Sequence, residues 1–325
     1  MKPSNACNFG VLFTQHRTGR TFFGLALGLL LMTGNALAGS ILFIGNSFTY
    51  GWGSAVRFYR ADTVTDLNSQ GIGGVPALFK SFTAQAGLNY KVFLETQPGS
   101  GLDWHIENKL GAIGQRSWDM VVMHGYSTLD PKSPGDATVL TSTTRQLAEF
   151  LRERNPAVEL RLTATWARAD QTYDTKGAWF GKTLDVMTQD IRAGYDQAAA
   201  GTPGIKGVVP VGEAWLRAIQ TGVADANPYD GIDAGKINLW SYDNYHASNY
   251  GYYLEALVLF GSITGRDPRS LGANECSGFE LGLSPAQVDA LQKVAFDQLA
   301  VSVGVKPSPL KLSKPVEPNH CVRSR

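Results

Sequence analysis

The organisation of this chain is decided at residues 41–47, which have the sequence ILFIGNS. Four apolar residues in succession are typical of a buried strand in a parallel sheet, and the apolar run stops abruptly at Gly-Asn-Ser. A serine at this point lies at the carboxyl end of its strand, where open α/β folds keep their reactive groups. Ser47 is therefore the first candidate for a catalytic residue.

A second stretch, DNYH at residues 243–246, supplies the partners that such a serine needs. It places an acid and a base three positions apart on one short turn. A serine hydroxyl is a poor nucleophile near neutral pH, so it needs a base within about 2.6 to 3.2 Å to take its proton. His246 is the candidate base, and Asp243 would fix the imidazole tautomer. Ser47, His246 and Asp243 are the parts of a hydrolytic triad.

These two stretches resemble the first and last motifs of the SGNH (GDSL-type) hydrolases. The Gly-Asp-Ser of that family appears here as Gly45-Asn46-Ser47, and its Asp-x-x-His is intact from Asp243 to His246. The resemblance covers essentially the whole chain after residue 40. It implies a flavodoxin-like, three-layer α/β/α sandwich and a serine esterase that works through an acyl-enzyme without a cofactor.

The rest of the chain alternates between apolar strands and amphipathic helices. After the first strand, the expected strands lie at residues 90–95, 118–123, 158–165 and 207–211. About five strand–helix units predict a doubly wound, mainly parallel sheet. We expect one SGNH hydrolase-like α/β domain over residues 39–304, with a Pro-rich C-terminal tail, residues 305–325, packed on it.

Composition and motif spacing argue against several other functional classes. The chain has 29 basic and 28 acidic residues and a net charge of +1, so its overall charge does not favour binding to nucleic acid or to an anionic membrane. The glycines at residues 71–74 invite a dinucleotide interpretation, but the third glycine of G-x-G-x-x-G would fall at Pro76 and no strand pattern precedes them. The five histidines show no metal-ligand spacing, so no metal site is predicted.

The resemblance also implies an oxyanion hole. The backbone N–H of Ser47 and that of a glycine in the second motif would contribute, and Gly99 is the expected glycine, with Gly101 as the alternative. In SGNH enzymes an asparagine after the third strand donates a side-chain N–H, but the corresponding segment here, HGYS, contains none. We expect Ser127 to replace it, with His124 as the alternative, and an oxyanion hole with fewer donors is the third possibility.

Aromatic side chains are dense around the expected cleft, and Tyr126, Trp166 and Tyr245 are the candidates for substrate contacts. Aromatic rings suit sugars, and many exported SGNH relatives deacetylate carbohydrates. The expected substrate is therefore an O-acetyl or short acyl ester on a glycan, and small-molecule esters remain open. Two other functions also remain open: an acyltransferase with the same triad, and a catalytically impaired carbohydrate-binding protein. The sequence does not set the oligomeric state.

The first 38 residues have the pattern of a secretory signal peptide. Basic residues without an acid precede an apolar run from Thr21 to Met32, and Ala36-Leu37-Ala38 suits signal peptidase. The run is about 12 residues, against the ~20 that span a bilayer, so no stable membrane anchor is expected. We expect cleavage after Ala38 and export to the periplasm or the extracellular space.

Two cysteines, Cys276 and Cys321, remain after the signal peptide is removed. Disulfides form and persist in oxidising compartments, so we expect the two residues to be bridged. Two unpaired thiols are the alternative, because the sequence does not show that their Cα atoms come within bridging reach.

Overall fold

The computed structural model describes Gly10, residues 39–308 and Cys321. The described residues contain a six-stranded sheet with the order β2-β3-β1-β4-β5-β6. Its strands are β1 (Gly39–Gly45), β2 (Thr65–Asp66), β3 (Tyr90–Thr96), β4 (Met120–Met123), β5 (Glu159–Ala164) and β6 (Ile205–Pro210). Every pairing of neighbouring strands is parallel, which confirms the predicted α/β fold class.

β1 lies inside the sheet, between β3 and β4. It pairs with β3 from Gly39 to Gly45 and with β4 from Ile41 to Ile44. Residues 40–45 are all buried, because helices cover the sheet and leave no face of the strand for polar side chains. The apolar run in the sequence therefore marks a central strand, and its carboxyl end brings Ser47 to the middle of the sheet edge.

The sheet has one strand more than the five or so that the sequence predicts. β2 contains only Thr65 and Asp66, and it pairs with β3 at the edge of the sheet. Two polar residues give no apolar run or alternation, so the pattern that reveals a strand is absent. The strand expected over residues 118–123 begins only at Met120, and Trp118 is buried before it, where its Nε1–H donates to the Ile113 carbonyl at 2.6 Å.

The α-helices of the described residues pack in two groups around the sheet. Their bounds are α1 (Ser47–Tyr50), α2 (Gly74–Gln85), α3 (Leu102–Ile113), α4 (Thr138–Arg154), α5 (Ala169–Thr172), α6 (Leu184–Ala200), α7 (Val211–Gln220), α8 (Asn249–Thr264), α9 (Cys276–Glu280) and α10 (Pro285–Ser302). α8 contacts α2, α7 and α10, and α4 contacts α3 and α6. Residues 251–262 of α8 are buried all round, so this helix belongs to the core.

Cys276 and Cys321 form a disulfide, with their Cα atoms 5.2 Å apart. That separation is typical of bridged cysteines. The expected signal peptide, residues 1–38, lies outside the described residues, and so do residues 309–320 and 322–325 of the expected tail. The domain boundaries stay predictions. Over residues 39–308, no helix is both long and apolar enough to cross a bilayer.

Candidate active site

Ser47 is the first residue of α1, the short helix that begins directly after β1. The side chain of Asn46 caps this helix by accepting the Phe48 N–H at 3.1 Å. Gly51 ends the helix with a φ of +82°, and a Cβ there would lie 2.7 Å from the backbone nitrogen of Arg57, so only glycine fits. This tight strand–helix turn holds Ser47 at the carboxyl edge of the sheet.

The side chain of Asn46 also joins the two loops on either side of β1. Its Nδ2 donates to the Ser100 carbonyl at 2.9 Å, after β3, and to the Gly125 carbonyl at 3.2 Å, after β4. An ionised aspartate has only acceptors and would face both carbonyl oxygens with negative charge. The asparagine at the second position of the motif therefore matches the groups around it.

The three residues predicted as a triad lie in one hydrogen-bonded series. Ser47 Oγ lies 2.9 Å from His246 Nε2, and His246 Nδ1 lies 2.6 Å from Asp243 Oδ2. The other carboxylate oxygen of Asp243 accepts the backbone N–H groups of Tyr245 and His246, at 3.1 and 2.9 Å. The aspartate is therefore held by its own turn, and its second oxygen is left to orient the imidazole.

The protonation states of this pair suit general-base chemistry. Burial lowers the pKa of His246 below its ordinary value, although the hydrogen bond and charge of Asp243 oppose that effect. Burial raises the pKa of Asp243, but hydrogen bonds from His246 and from two backbone N–H groups outweigh it and leave the pKa lowered. Near neutral pH the imidazole is uncharged and the carboxylate is ionised, as proton transfer from a serine requires.

A cavity of about 290 Å³ opens beside this series. It is lined by Ser47, Tyr50, Trp52, Pro98, Gly99, Tyr245 and His246. Two larger cavities, of about 480 and 420 Å³, lie between Thr172 and Ala226 and between Pro134 and Gln197, but no member of the series lines either. In the part of the chain that the structure describes, no group of three His, Cys, Asp or Glu side chains could hold a metal ion.

Solved structures share this architecture. A DUF4886 family protein from Bacteroides uniformis is 19% identical, with 85% of this chain and 100% of that chain covered and a TM-score of 0.56. A protein from Slackia heliotrinireducens, named provisionally as an SGNH hydrolase, is 22% identical, with coverage of 70% and 99% and a TM-score of 0.47. A family 3 carbohydrate esterase from Clostridium thermocellum is 16% identical, with coverage of 70% and 96% and a TM-score of 0.44.

The chain has a parallel, six-stranded α/β fold, and it shares this fold with the DUF4886 family protein. No family model and no curated protein matches its sequence. At these identities the likeness concerns the fold alone, so any chemistry must be argued from the side chains themselves.

In this fold, the loop after β3 brings Gly99 to the cavity beside Ser47. Its φ of +65° lies in the left-handed region that favours glycine, and a Cβ there would meet open space. Ser47, as the first residue of α1, has no intrahelical acceptor for its N–H. The two residues whose backbone N–H groups are the expected oxyanion donors therefore line one cavity, and the role of those N–H groups stays a prediction.

The alternative donors lie in other surroundings. Gly101 precedes α3 outside the cavity lining, and a Cβ there would lie 2.3 Å from the Tyr126 ring, so its glycine serves packing. His124 Nδ1 donates to the Gly125 carbonyl at 3.0 Å, so its Nε2 must accept the Thr49 hydroxyl, 2.7 Å away. Burial lowers the pKa of His124 to about 4 and keeps the ring neutral. His124 has no N–H left for an oxyanion, which contradicts that alternative.

Ser127, the preferred substitute for the missing asparagine, is buried near the start of the loop after β4. Its hydroxyl accepts Nη1 of Arg168 at 3.1 Å, and the same guanidinium pairs with Asp170. Ser127 is not among the residues that line the cavity. Its part as a third donor stays a prediction.

The three aromatic residues expected to contact substrate lie in different surroundings, and only one of them lines the cavity. Tyr245 lines the cavity, with its ring centroid 4.1 Å from that of His246. Trp166 is completely buried and stacks between Phe48, at 3.9 Å, and Trp215, at 4.6 Å, so the expectation that it contacts substrate is wrong. Tyr126 packs against the Gly101 loop outside the lining and donates to Asp103 at 3.2 Å. Two other aromatic residues that follow the nucleophile, Tyr50 and Trp52, line the cavity together with Tyr245.

A buried pair, Glu95 and His105, lies beneath the loop that carries Gly99. His105 Nδ1 forms a salt bridge with Glu95 Oε2, and the side chains are 1% and 0% exposed. His105 Nε2 lies 3.0 Å from the Gly45 carbonyl and 3.1 Å from Ser100 Oγ. The pair ties the glycine loop to the end of β1, two residues before the nucleophile.

Proposed function

We propose that this protein is a secreted serine hydrolase that cleaves a carboxylic ester, namely an O-acetyl or short acyl group on a carbohydrate. One observation carries the proposal: Ser47 Oγ lies 2.9 Å from His246 Nε2, whose other ring nitrogen lies 2.6 Å from Asp243. The position of this series at the carboxyl edge of a parallel sheet, beside an aromatic cavity, supports it further.

Acylation follows from the positions of the three side chains. As Ser47 Oγ attacks the ester carbonyl carbon, His246 Nε2 takes the hydroxyl proton and Asp243 stabilises the resulting imidazolium. The carbonyl oxygen gains negative charge, which the N–H groups of Ser47 and Gly99 would meet. Each such donor can lower the barrier by ~3 kcal/mol. The intermediate then collapses, His246 gives its proton to the departing alcohol oxygen, and the acyl group stays on Ser47.

Deacylation repeats the sequence with water as the nucleophile. His246 takes a proton from a water molecule that attacks the acyl carbon, and the same two N–H groups meet the second oxyanion. Collapse breaks the bond to Ser47 Oγ, which recovers its proton from His246. The products are a carboxylic acid and the alcohol that left in the first step, so the reaction consumes one ester and one water.

The shape and lining of the cavity support a short acyl group on a sugar. Its volume of about 290 Å³ falls at the lower limit of ordinary ligand pockets, which run from about 300 to 1,000 Å³, so a long lipid chain does not fit inside it. Tyr50, Trp52 and Tyr245 form an aromatic wall. Such rings offer broad apolar faces together with polar tips, which suits the mixed surface of a sugar.

The disulfide between Cys276 and Cys321 supports the part of the proposal that concerns export. Disulfides persist in the periplasm and outside the cell and are rare in reducing compartments. Together with the signal-peptide pattern of the first 38 residues, it favours a periplasmic or extracellular location. Intact-mass measurement on secreted material tests this, because it gives both the start of the mature chain and the loss of two hydrogens at the bridge.

An ester panel combined with a fluorophosphonate probe tests the activity. Wild-type protein should hydrolyse acetyl and short acyl esters and should be labelled, whereas Ser47→Ala should do neither and should keep a nearly unchanged Tm. The exposed Ser133 supplies a matched control, since Ser133→Ala should behave as wild type. Labelling that persists in Ser47→Ala contradicts the proposal. Acyl transfer to an added alcohol without net hydrolysis identifies a transferase instead, and glycan binding without turnover identifies a binding protein.

A further inference from the structure

Arg57 is a half-buried cation that does not itself line the cavity but contacts two residues that do, and it has no carboxylate partner within residues 39–308. Its guanidinium carbon lies 5.2 Å from the ring centroid of Tyr50, 5.4 Å from that of Trp52 and 5.1 Å from that of Phe58. Its Nε is buried and finds no acceptor among these residues. A buried donor without an acceptor is costly and calls for a partner.

The other arginines close to the site are already neutralised. Arg168 lies 3.4 Å from the Tyr245 ring centroid but forms a salt bridge with Asp170, and Arg60 forms one with Glu280 at 2.8 Å. Arg57 therefore differs from its neighbours in having its charge unpaired. Contact with aromatic faces leaves the N–H donors in the plane of a guanidinium available, and this fork matches a carboxylate bidentately.

The charge of Arg57 acts on the cavity wall itself. Tyr50 and Trp52, whose rings face the guanidinium, both line the cavity. Burial raises the pKa of Tyr50, and the charge of Arg57 opposes that increase. The lining contains no carboxylate, and the nearest acid of the catalytic series, Asp243, is committed to His246. The wall on the Arg57 side is therefore suited to an anion.

We propose that Arg57 binds a carboxylate group of the substrate and makes this protein select anionic esters over neutral ones of the same size. The inference rests on the proposed esterase function and specifies its substrate class. The carboxylate could belong to the acyl group, as in a dicarboxylic half-ester, or to the alcohol, as in a uronic acid residue. Both present the same planar anion to the guanidinium.

Two matched substrate pairs test the proposal and separate the two sources. Nitrophenyl hydrogen succinate against nitrophenyl pentanoate varies charge on the acyl side, and acetylated methyl glucuronoside against acetylated methyl glucoside varies it on the alcohol side. In one pair, wild-type kcat/KM should favour the anionic ester by at least about tenfold. Arg57→Gln should reduce that ratio by about ten- to a hundredfold, as expected for a lost charge-assisted hydrogen bond. Arg57→Lys should restore part of it.

Arg116 supplies a matched control. It is exposed and lies 4.9 and 5.2 Å from the ring centroids of Phe93 and Trp118, neither of which lines the cavity, so Arg116→Gln should leave the ratio unchanged. A wild-type ratio near one in both pairs, or a ratio that Arg57→Gln does not alter, overturns the inference while the esterase stands.

If wild-type protein hydrolyses no ester, the proposed function fails, and binding then tests Arg57 separately. Calorimetric titration of Ser47→Ala protein with succinate and with methyl glucuronoside should show binding of one of them that Arg57→Gln weakens by about tenfold or more. Absence of binding, or equal binding by both proteins, overturns the inference.

Discussion

Replacing His105 by alanine should destabilise the protein strongly, because it leaves the carboxylate of Glu95 buried without its partner. Glu95 is 0% exposed and His105 is 1% exposed. Removing one member of a buried charge pair costs about 3–5 kcal/mol. The substitution also removes the Nε2–H that the Gly45 carbonyl and Ser100 Oγ share, at 3.0 and 3.1 Å, which contributes about 1 kcal/mol. We therefore expect a loss of at least about 4 kcal/mol in total.

Urea denaturation of His105→Ala, Glu95→Gln and the double variant checks this magnitude. The neutral glutamine can still accept the Asn68 amide, which lies 3.0 Å from Glu95 Oε1, so it tolerates the absence of the histidine better than a carboxylate does. The double variant should therefore be at least about 1 kcal/mol more stable than the sum of the single losses predicts. A loss below about 1 kcal/mol for His105→Ala, or strictly additive losses, would refute the reasoning.

The same substitution should have a kinetic signature that a purely structural defect lacks. His105 connects Ser100, next to Gly99, to the end of β1. If the Gly99 N–H meets the oxyanion, loosening this loop should lower kcat with little change in KM, because the contact strengthens only in the transition state. His105→Gln, whose amide can still donate towards the Gly45 carbonyl, should recover part of kcat. Equal turnover in the alanine and glutamine variants would show that the hydrogen bond is not the reason.

Three further predictions follow from the site and the disulfide. The pKa of His246 is lowered and the imidazole must be neutral to act, so kcat/KM should fall as pH drops through a midpoint below about 6.5. The negative charge of Asp243 raises the pKa of His246. Asp243→Asn removes that charge, so it should shift the midpoint lower still and reduce the plateau of kcat/KM by about ten-thousandfold. A midpoint above 6.5 would contradict this. The 45-residue separation of Cys276 and Cys321 gives about 4 kcal/mol on a chain-entropy estimate, so urea denaturation of Cys276→Ser should show a loss of that order, and a loss below about 1 kcal/mol would count against it. Ser127→Ala should lower kcat by roughly ten- to a thousandfold at similar KM if its hydroxyl is the third donor, and normal turnover would show that two backbone N–H groups suffice.

The sequence predicts the features of this fold that rest on local pattern. The continuous apolar runs in β1 and β4 indicate buried parallel strands, because helices on both faces remove the need for alternation, whereas β5 is indicated by alternating apolar and polar residues. The positions of Ser47 and His246 can be predicted for a related reason, since the end of a strand and a short turn can both be recognised from the local sequence. β2 escapes the prediction because its pairing rests on contacts with β3 and on two polar residues of its own.

Other features depend on neighbours that are distant in the chain and could not be predicted. Trp166 follows β5 at the same edge as the nucleophile, so its position suggests a cleft residue. Its ring instead stacks between Phe48 and Trp215, which lie 118 and 49 positions away, and burying so large a side chain stabilises the core more than exposing it would. His105 is similar, since its partners Glu95 and Gly45 come from two other elements. The sequence pattern predicts which face of a helix or strand is buried. It does not predict which residues pack against that face.

Asn46 shows how the fold and the site are joined at one residue. Its Oδ1 caps the helix that presents Ser47, and its Nδ2 holds the carbonyls of Ser100 and Gly125. These bonds lie in a buried setting, where a missing partner costs the full desolvation of the group left behind. The orientation of the nucleophile and the position of the Gly99 loop are therefore set by the same side chain. An acceptor-only aspartate could cap the helix but could not hold the loops, which explains why an amide suits this version of the motif.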